Sequence, residues 1–169
     1  MLTQDLLNEI FIYNKDTGTL CRRDSPYPPN ESSTKSPYSQ VKIQGKAHST
    51  HRIIWLMVYG HIPKGMEIDH INGTKKDNRL SNLRLSTPSE NKRNRAQYAC
   101  NTTGFKGVFA SRGKFRAAIV VDKKYKHLGE YESPEAAAVV YDSAALVHFG
   151  EFARTNAMMG LLPNTSANV

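Results

Sequence analysis

Residues Glu67 to Asn94 read EIDHINGTKKDNRLSNLRLSTPSENKRN, and the order of elements this stretch implies decides the fold. Met66 to His70 has the length and apolar content of a short strand, and Asn72 to Arg79 is polar and rich in turn formers. Leu80 to Leu85 predicts a second strand with Leu83 and Leu85 on one side and Asn82 and Arg84 on the other. Thr87-Pro88-Ser89-Glu90 has the form of a capping box with proline at the first helical position, so a helix starts there and carries Asn91 in its first turns. Residues 66–97 therefore predict strand, loop, strand, helix. Adjacent residues of a regular strand point to opposite faces. For Asp69 and His70 to serve one group, irregular backbone is expected at that point.

Toward the N-terminus, Leu2, Leu6, Leu7 and Ile10 stand at helical spacing and lead into Phe11-Ile12-Tyr13. Asp16-Thr17-Gly18 supplies a turn before Thr19-Leu20-Cys21, which predicts a hairpin. Residues 24–39 hold four prolines and five serines and read as an irregular loop. Tyr38 to Ile43 alternates, and Gln44-Gly45 makes a turn. Thr50 is placed to cap an apolar helix over His51 to Tyr59, with Gly60 at its C-terminal end. That helix belongs in a core.

Toward the C-terminus, Tyr98 to Thr103 forms a polar link, after which three short strands are expected at Gly107–Ser111, Lys114–Val121 and Tyr125–Tyr131. Turns fall at Arg112-Gly113 and Asp122-Lys123-Lys124. Ser133-Pro134-Glu135 opens a helix over Ala136 to Phe149, ended by Gly150. Phe115, Ala117, Ile119 and Val121 share one face of the middle strand and pack on the small residues of that helix, while Lys114 and Arg116 face the other way. Ala157 to Val169 reads as a weakly ordered tail.

The chain has 169 residues and a formal net charge of +8, with 39% hydrophobic content. Between Asn91 and Gly129 lie ten basic residues and one acid, so the whole excess sits in one segment. An anionic partner, nucleic acid first, follows from that concentration. The longest apolar run, Ile53 to Tyr59, is far short of the roughly 20 residues a bilayer requires. No membrane partner and no secretory signal are expected. Cys21 and Cys100 stand apart with no C-x-x-C pair, which excludes a zinc knuckle or a disulfide framework. A bound metal would rest on oxygen and nitrogen ligands.

The combination of Asp69-His70, Asp77-Asn78-Arg79-x-x-Asn82-Leu83-Arg84 and Glu90-Asn91 resembles the HNH family of endonucleases, above all its phage-type homing enzymes, over roughly His51 to Asn94. His70 precedes Asn82 by twelve positions and Asn82 precedes Asn91 by nine. The resemblance implies that these residues surround one phosphodiester, with asparagine in place of the last histidine of the family's name. A histidine titrating near 6.5 suits the deprotonation of water near neutral pH, so His70 is the expected general base. Asp69 and the amide oxygen of Asn91 are the expected ligands of one hard divalent ion, Mg²⁺ or Mn²⁺. Asn82, by resemblance, pins the loop and the orientation of His70. Asn72-Gly73 reads as a turn and Asp77-Asn78 as loop closure. His51 and Arg52 resemble a pair that precedes the core helix in related phage enzymes. His48, His61, His127 and His148 read as structural or solvent-facing.

Residues 104–156, with Gly104-Phe105-Lys106-Gly107-Val108, Gly113-Lys114-Phe115-Arg116-Ala117, Leu128-Gly129-Glu130-Tyr131, Tyr141-Asp142 and Asn156, resemble the ethylene-response-factor (APETALA-type) DNA-binding domain. That resemblance implies a three-stranded sheet set in the major groove and backed by a helix. Phe109 and Phe115 stand where the family commonly has arginine and tryptophan, so its base preference does not transfer. Lys92, Arg93, Arg95, Lys106, Arg112, Lys114, Arg116 and Lys126 are the expected DNA contacts.

The expected fold is α+β, an N-terminal ββα-metal nuclease module followed by a three-stranded antiparallel sheet packed on one helix. Its expected parts are a β-rich extension over 1–50, a nuclease core over 51–97, a linker over 98–103, a DNA-binding module over 104–156 and a tail over 157–169. The resemblances imply a site-specific homing endonuclease acting on double-stranded DNA as a monomer that nicks one strand. Its expected setting is the cytoplasm of a bacterial host, encoded by a phage or mobile element. The competing readings are a non-catalytic transcriptional regulator and a nuclease acting on RNA.

Overall fold

The computed structural model describes residues 2–25, 36–96 and 101–162. The chain divides into two compact units, Met1–Asn91 and Lys92–Val169. Cys100, the middle of the 24–39 loop and half of the expected 98–103 linker fall outside the described residues.

The first unit opens with helix α1 (Gln4–Ile10), capped by the Thr3 hydroxyl, and hairpin β1 (Phe11–Tyr13) and β2 (Leu20–Arg22). A second antiparallel hairpin follows, β3 (Gln40–Ile43) and β4 (Lys46–Ser49). Its returning strand lacks the apolar alternation that marks a strand in sequence: Lys46 and Ala47 are exposed. Helix α2 (Thr50–Tyr59) buries Ile53, Ile54, Trp55 and Met57 and ends at Gly60 in the left-handed conformation. The expected Thr50 cap is displaced by one residue. Ser49 occupies the N-cap without a side-chain hydrogen bond, because Thr50 has already turned inward and is buried. Leu7, Phe11, Leu20, Val41, Ile43, Ile68 and Leu83 converge with the buried face of α2 in one core.

Strand β5 (Glu67–His70) pairs with β6 (Leu83–Ser86) in antiparallel register, Asp69 opposite Arg84 and His70 opposite Leu83. Only the second half of the expected Leu80–Leu85 strand is extended, since Leu80–Asn82 forms a 3-10 turn. The chain needs that turn to come round onto β5. The capping box forms as expected: the Thr87 amide donates to Glu90 Oε2 at 2.7 Å and the Glu90 amide to Thr87 Oγ1 at 3.3 Å. It starts α3 (Pro88–Arg93).

The second unit holds β7 (Val108–Ser111), β8 (Lys114–Val121) and β9 (Lys124–Tyr131) in one antiparallel sheet, with α4 (Pro134–Phe149) packed on it. Its two tight turns place Arg112, Asp122 and Lys123 at φ between 46° and 63°. These left-handed values match the twist of the flanking strands. Ala117, Ala137 and Ala138 pack with Val108 and Leu162, and Ile119 packs with Tyr141 and Ala145. Gly107 (φ 76°) permits the closest approach, since a Cβ there would lie 1.9 Å from the Tyr141 ring. Part of the expected tail is structural, because Leu162 is buried among these residues and residues 157–160 form turns. The remainder of it lies outside the described residues.

Asp142 ties the end of this unit to its helix. Its Oδ1 accepts from the amide and the side-chain nitrogen of Asn156 at 2.7 and 2.8 Å, and its Oδ2 accepts from the Ala157 amide at 2.9 Å. Asn156, with no exposed surface, in turn accepts from the Lys106 amide at 2.7 Å. Burial raises the Tyr141 hydroxyl to about 12.

Candidate active site and nucleic-acid interface

Strand β5 displays two chemistries on its two faces. The expected irregular backbone is absent: β5 is extended and paired throughout, so Asp69 and His70 point to opposite sides. On one face Asp69 accepts from Arg84 Nε at 3.0 Å and Nη2 at 2.9 Å, both at Oδ2, with the pair nearly excluded from water. Glu67 lies on the same face two residues back and accepts a hydrogen bond from Asn91 Nδ2. That bond uses the nitrogen of the Asn91 amide, and its oxygen is the atom that could serve a cation.

On the other face His70 is 4% exposed. Its ring meets the edge of His51 at a centroid distance of 4.9 Å and lies 6.0 Å from Tyr38. Its Nε2 is 3.1 Å from Asn78 Oδ1. Burial holds the imidazole below the ordinary histidine value, against the opposing pull of the Asn78 bond and Asp69.

Asn82 holds the loop between the strands by both ends of its amide. Oδ1 accepts from the Asn72 amide at 2.9 Å, and Nδ2 donates to the Asp77 carbonyl at 2.8 Å. Asp77 accepts from Arg79 Nη2 at 2.6 Å, and those bonds hold its carboxyl down at about 2. Asn78, read from sequence as loop closure only, is 4% exposed and touches His70. Glu67 escaped the sequence reading as well, although its spacing of two from Asp69 on one strand was a usable signal.

His51 is buried, and its Nδ1 has no hydrogen-bond partner among the described residues. Burial first, then His70 and Arg52, push it down to about 3. The unfolded chain therefore takes up a proton below pH 6.5 that the folded chain refuses, and stability falls as pH falls from 6.5 toward 3. At about 1.4 kcal/mol per unit, the expected loss by pH 4 is on the order of 3 kcal/mol. Urea unfolding midpoints between pH 7 and 4 should show this slope, and His51→Gln should flatten it. An equal slope in the variant would assign the acid sensitivity elsewhere.

The oxygen donors on the Asp69 face are all hard: two carboxylates and one amide oxygen. Among the described residues no three His, Cys, Asp or Glu side chains gather as a metal-holding group. A cation that accepts few protein ligands and keeps its waters, such as Mg²⁺, fits that donor set.

Residues 48–93 match the profile of the HNH endonuclease family. The chain is 35% identical over 111 residues to Protein 3.8 of Escherichia phage T7, covering 64% of this chain and 91% of that protein. It is also 35% identical over 123 residues to the uncharacterized HNH endonuclease L560 of Acanthamoeba polyphaga mimivirus, covering 72% of this chain and 64% of that one. The chain carries an HNH endonuclease domain. A Bacillus subtilis (strain 168) SPbeta prophage protein, provisionally named an HNH homing endonuclease, is 37% identical over 54 residues, 32% of this chain and 31% of its own length. The HNH match contains Asp69, His70, Asn82 and Asn91, and the chain is a nuclease.

In the second unit of this HNH nuclease, the residues expected on DNA separate. Lys92, Arg95, Arg112 and Lys114 are exposed. Arg93 lies over the Phe149 ring at 4.8 Å and 3.6 Å from Asp122. Lys106 does not join an outer face: its ammonium donates to the carbonyls of Arg93 and Arg154 at 2.8 and 3.0 Å, and burial pushes it down to about 8. Lys126 also faces the wrong way. A bulge between Ala117 and Ala118 inserts Leu128 into β9, and a one-residue slip turns every later side chain over. Lys126 therefore stands opposite Ile119 on the helix side and meets His148 of α4 at 3.4 Å. The same slip brings Tyr125 and His127 to the outer face, beside Phe109, Val120, Lys114 and Arg116. Two acids temper its charge: Glu132 is 2.7 Å from Lys114, and Glu130 stands opposite Arg116. The outer face is thus aromatic and mixed in charge rather than simply basic.

Among the described residues no helix is long and apolar enough to cross a membrane.

Proposed function

We propose that this HNH nuclease is a site-specific endonuclease of the homing type that hydrolyses double-stranded DNA with one divalent ion, Mg²⁺ or Mn²⁺. One observation carries the reading: Asp69 and His70 end strand β5 side by side, and Asn91 is tied to the same strand through Glu67. The nuclease core is assigned to 51–97, with 1–50 as its extension. Residues 104–156 serve as a DNA-reading module of the ethylene-response-factor kind, and 98–103 as the linker. The protein acts as a monomer in the cytoplasm of a bacterial host.

The neutral His70 imidazole takes the proton of the attacking water, whose oxygen forms the new bond to phosphorus as the bond to the 3′ oxygen breaks. Asp69 and Asn91 hold the ion, and Arg84 balances the Asp69 charge beside it. When bound, the ion supplies positive charge against the charge that grows on the phosphate and the departing oxygen. Asn82 keeps the loop closed under His70. The two faces of β5 meet at its end, where the Gly73 amide turns back to the His70 carbonyl at 2.8 Å. A phosphate approaching that end has the carboxylate on one side and the imidazole on the other. Arg112, Lys114 and Arg116 are the cations of the second unit placed to meet DNA, with Phe109 and Tyr125 beside them.

The burial of His70 against His51 and Tyr38 favours one competing reading, in which the ring is a packing element and another group serves as base. Supercoiled plasmid carrying one target site tests the proposal. With Mg²⁺ present, open circles are expected before any linear product, and EDTA should stop the reaction while leaving gel retardation intact. Linear DNA without an open-circle intermediate would sink the monomeric nicking scheme, and EDTA-resistant cleavage would sink the ion.

A further inference from the structure

We propose that the outer face of the three-stranded sheet selects thymine in duplex DNA by its 5-methyl group, through Phe109 and Val120. The inference rests on the reading of residues 104–156 as a DNA-reading module. On the face turned away from α4, the strand register sets Phe109, Arg116 and Glu130 in one row and Val120 beside Tyr125 in another. Phe109, Val120 and Tyr125 are 46%, 58% and 56% exposed, so each offers about half of its surface to a ligand. The polar groups around them are already engaged. Lys114 is paired with Glu132 at 2.7 Å, Glu130 accepts from Ser111 Oγ at 3.3 Å, and the Arg116 guanidinium lies over the Phe109 ring at 5.7 Å.

These engagements decide what the face can recognise. Reading a base by hydrogen bonds takes donors or acceptors aimed outward in pairs, whereas the apolar group that a base edge presents in the major groove is the thymine methyl. Phe109 and Val120 can meet only the second. A stacked base would need an open ring, yet Arg116 takes one side of Phe109 and Val120 has no ring at all. The hairpin tips at the two ends of β8 carry Arg112 and Lys123, both exposed, which suits phosphates flanking such a contact. Charge at the tips supplies affinity, and the apolar patch between them supplies the choice of base.

The test is gel retardation by the full chain in EDTA, with four short duplexes: alternating dA·dT, the same with deoxyuridine for thymidine, alternating dG·dC, and the same with 5-methyldeoxycytidine. Burying one methyl group is worth roughly a fourfold change in affinity, so removing the methyls from dA·dT should weaken binding roughly tenfold through two contacts. Adding them to dG·dC should strengthen it. Phe109→Ala with Val120→Thr should remove most of both differences, and the wild-type comparison itself depends on no variant. Equal wild-type affinity with and without the methyls would overturn the proposal, as would differences that survive in the double variant or tighter binding of single-stranded oligothymidylate than of any duplex. A dimer seen by sedimentation and dissolved by the double variant would overturn it too, giving the face to a second copy of the chain. Arg112→Gln with Lys123→Gln should weaken all four duplexes alike. That uniform loss beside equal wild-type affinities would sink methyl selection and keep the DNA-reading module, whereas cations without effect would sink the module and the proposal with it.

Discussion

Replacing His70 by alanine should cut single-turnover cleavage by about 10²- to 10⁴-fold, the usual worth of a positioned general base, while the protein still retards target DNA. The imidazole is the one nitrogen base on β5, and burial keeps it in the neutral form that can accept a proton. The opposite face of the strand already commits its carboxylates to Arg84 and Asn91. His70→Gln keeps much of the side-chain volume, which separates loss of the base from loss of packing against His51. Cleavage within tenfold of wild type in both variants, with folding intact, would remove His70 from the chemistry and leave it as a core ring.

The second large effect is expected at Asp142, in the helix of the second unit. Asp142→Ala strips acceptors from the buried Asn156 amide, from the part-buried Ala157 amide and from the Asn156 side chain, which keeps the Lys106 carbonyl. Leaving such donors unsatisfied costs about 1 to 3 kcal/mol each, and relaxation and water entry bring the total to about 4 kcal/mol. Since whole domains are stable by only about 5 to 15 kcal/mol, the second unit should stand at the edge of unfolding at 37 °C. Thermal and urea unfolding followed by near-ultraviolet dichroism measure it. Asp142→Asn, which keeps one acceptor, should cost less, and a loss under 1 kcal/mol in the alanine variant would show that water replaces the carboxylate freely.

What sequence discloses here depends on whether a local rule runs unbroken. The capping box at Thr87–Glu90 and the three strands of the second unit were legible because each obeys a fixed spacing. The face of Lys126 was not, because an unbroken alternation back from Glu130 points it outward and the bulge at Leu128 reverses it. Lys106 carries a charge that sequence assigns to the surface, yet two backbone carbonyls draw it inward. At the candidate site, the neighbouring Asp69 and His70 were legible as a pair. Their placement on opposite faces follows from a regular, fully paired strand, where an irregular one was expected. Asn78 stayed hidden because its contact with His70 depends on the closure of a loop whose supports, Tyr13 and Gly18, lie some sixty residues earlier.

The turns of the three-stranded sheet carry a cost of their own. Arg112, Asp122 and Lys123 occupy left-handed backbone that glycine or asparagine adopts more readily, at roughly 1 kcal/mol or more per residue. Two of the three are cations held at the tips of hairpins. Selection for thermal robustness alone would replace them with glycine or asparagine. Glycine or asparagine at Arg112 and Lys123 should therefore raise the melting temperature, and affinity for polyanions should fall at the same sites.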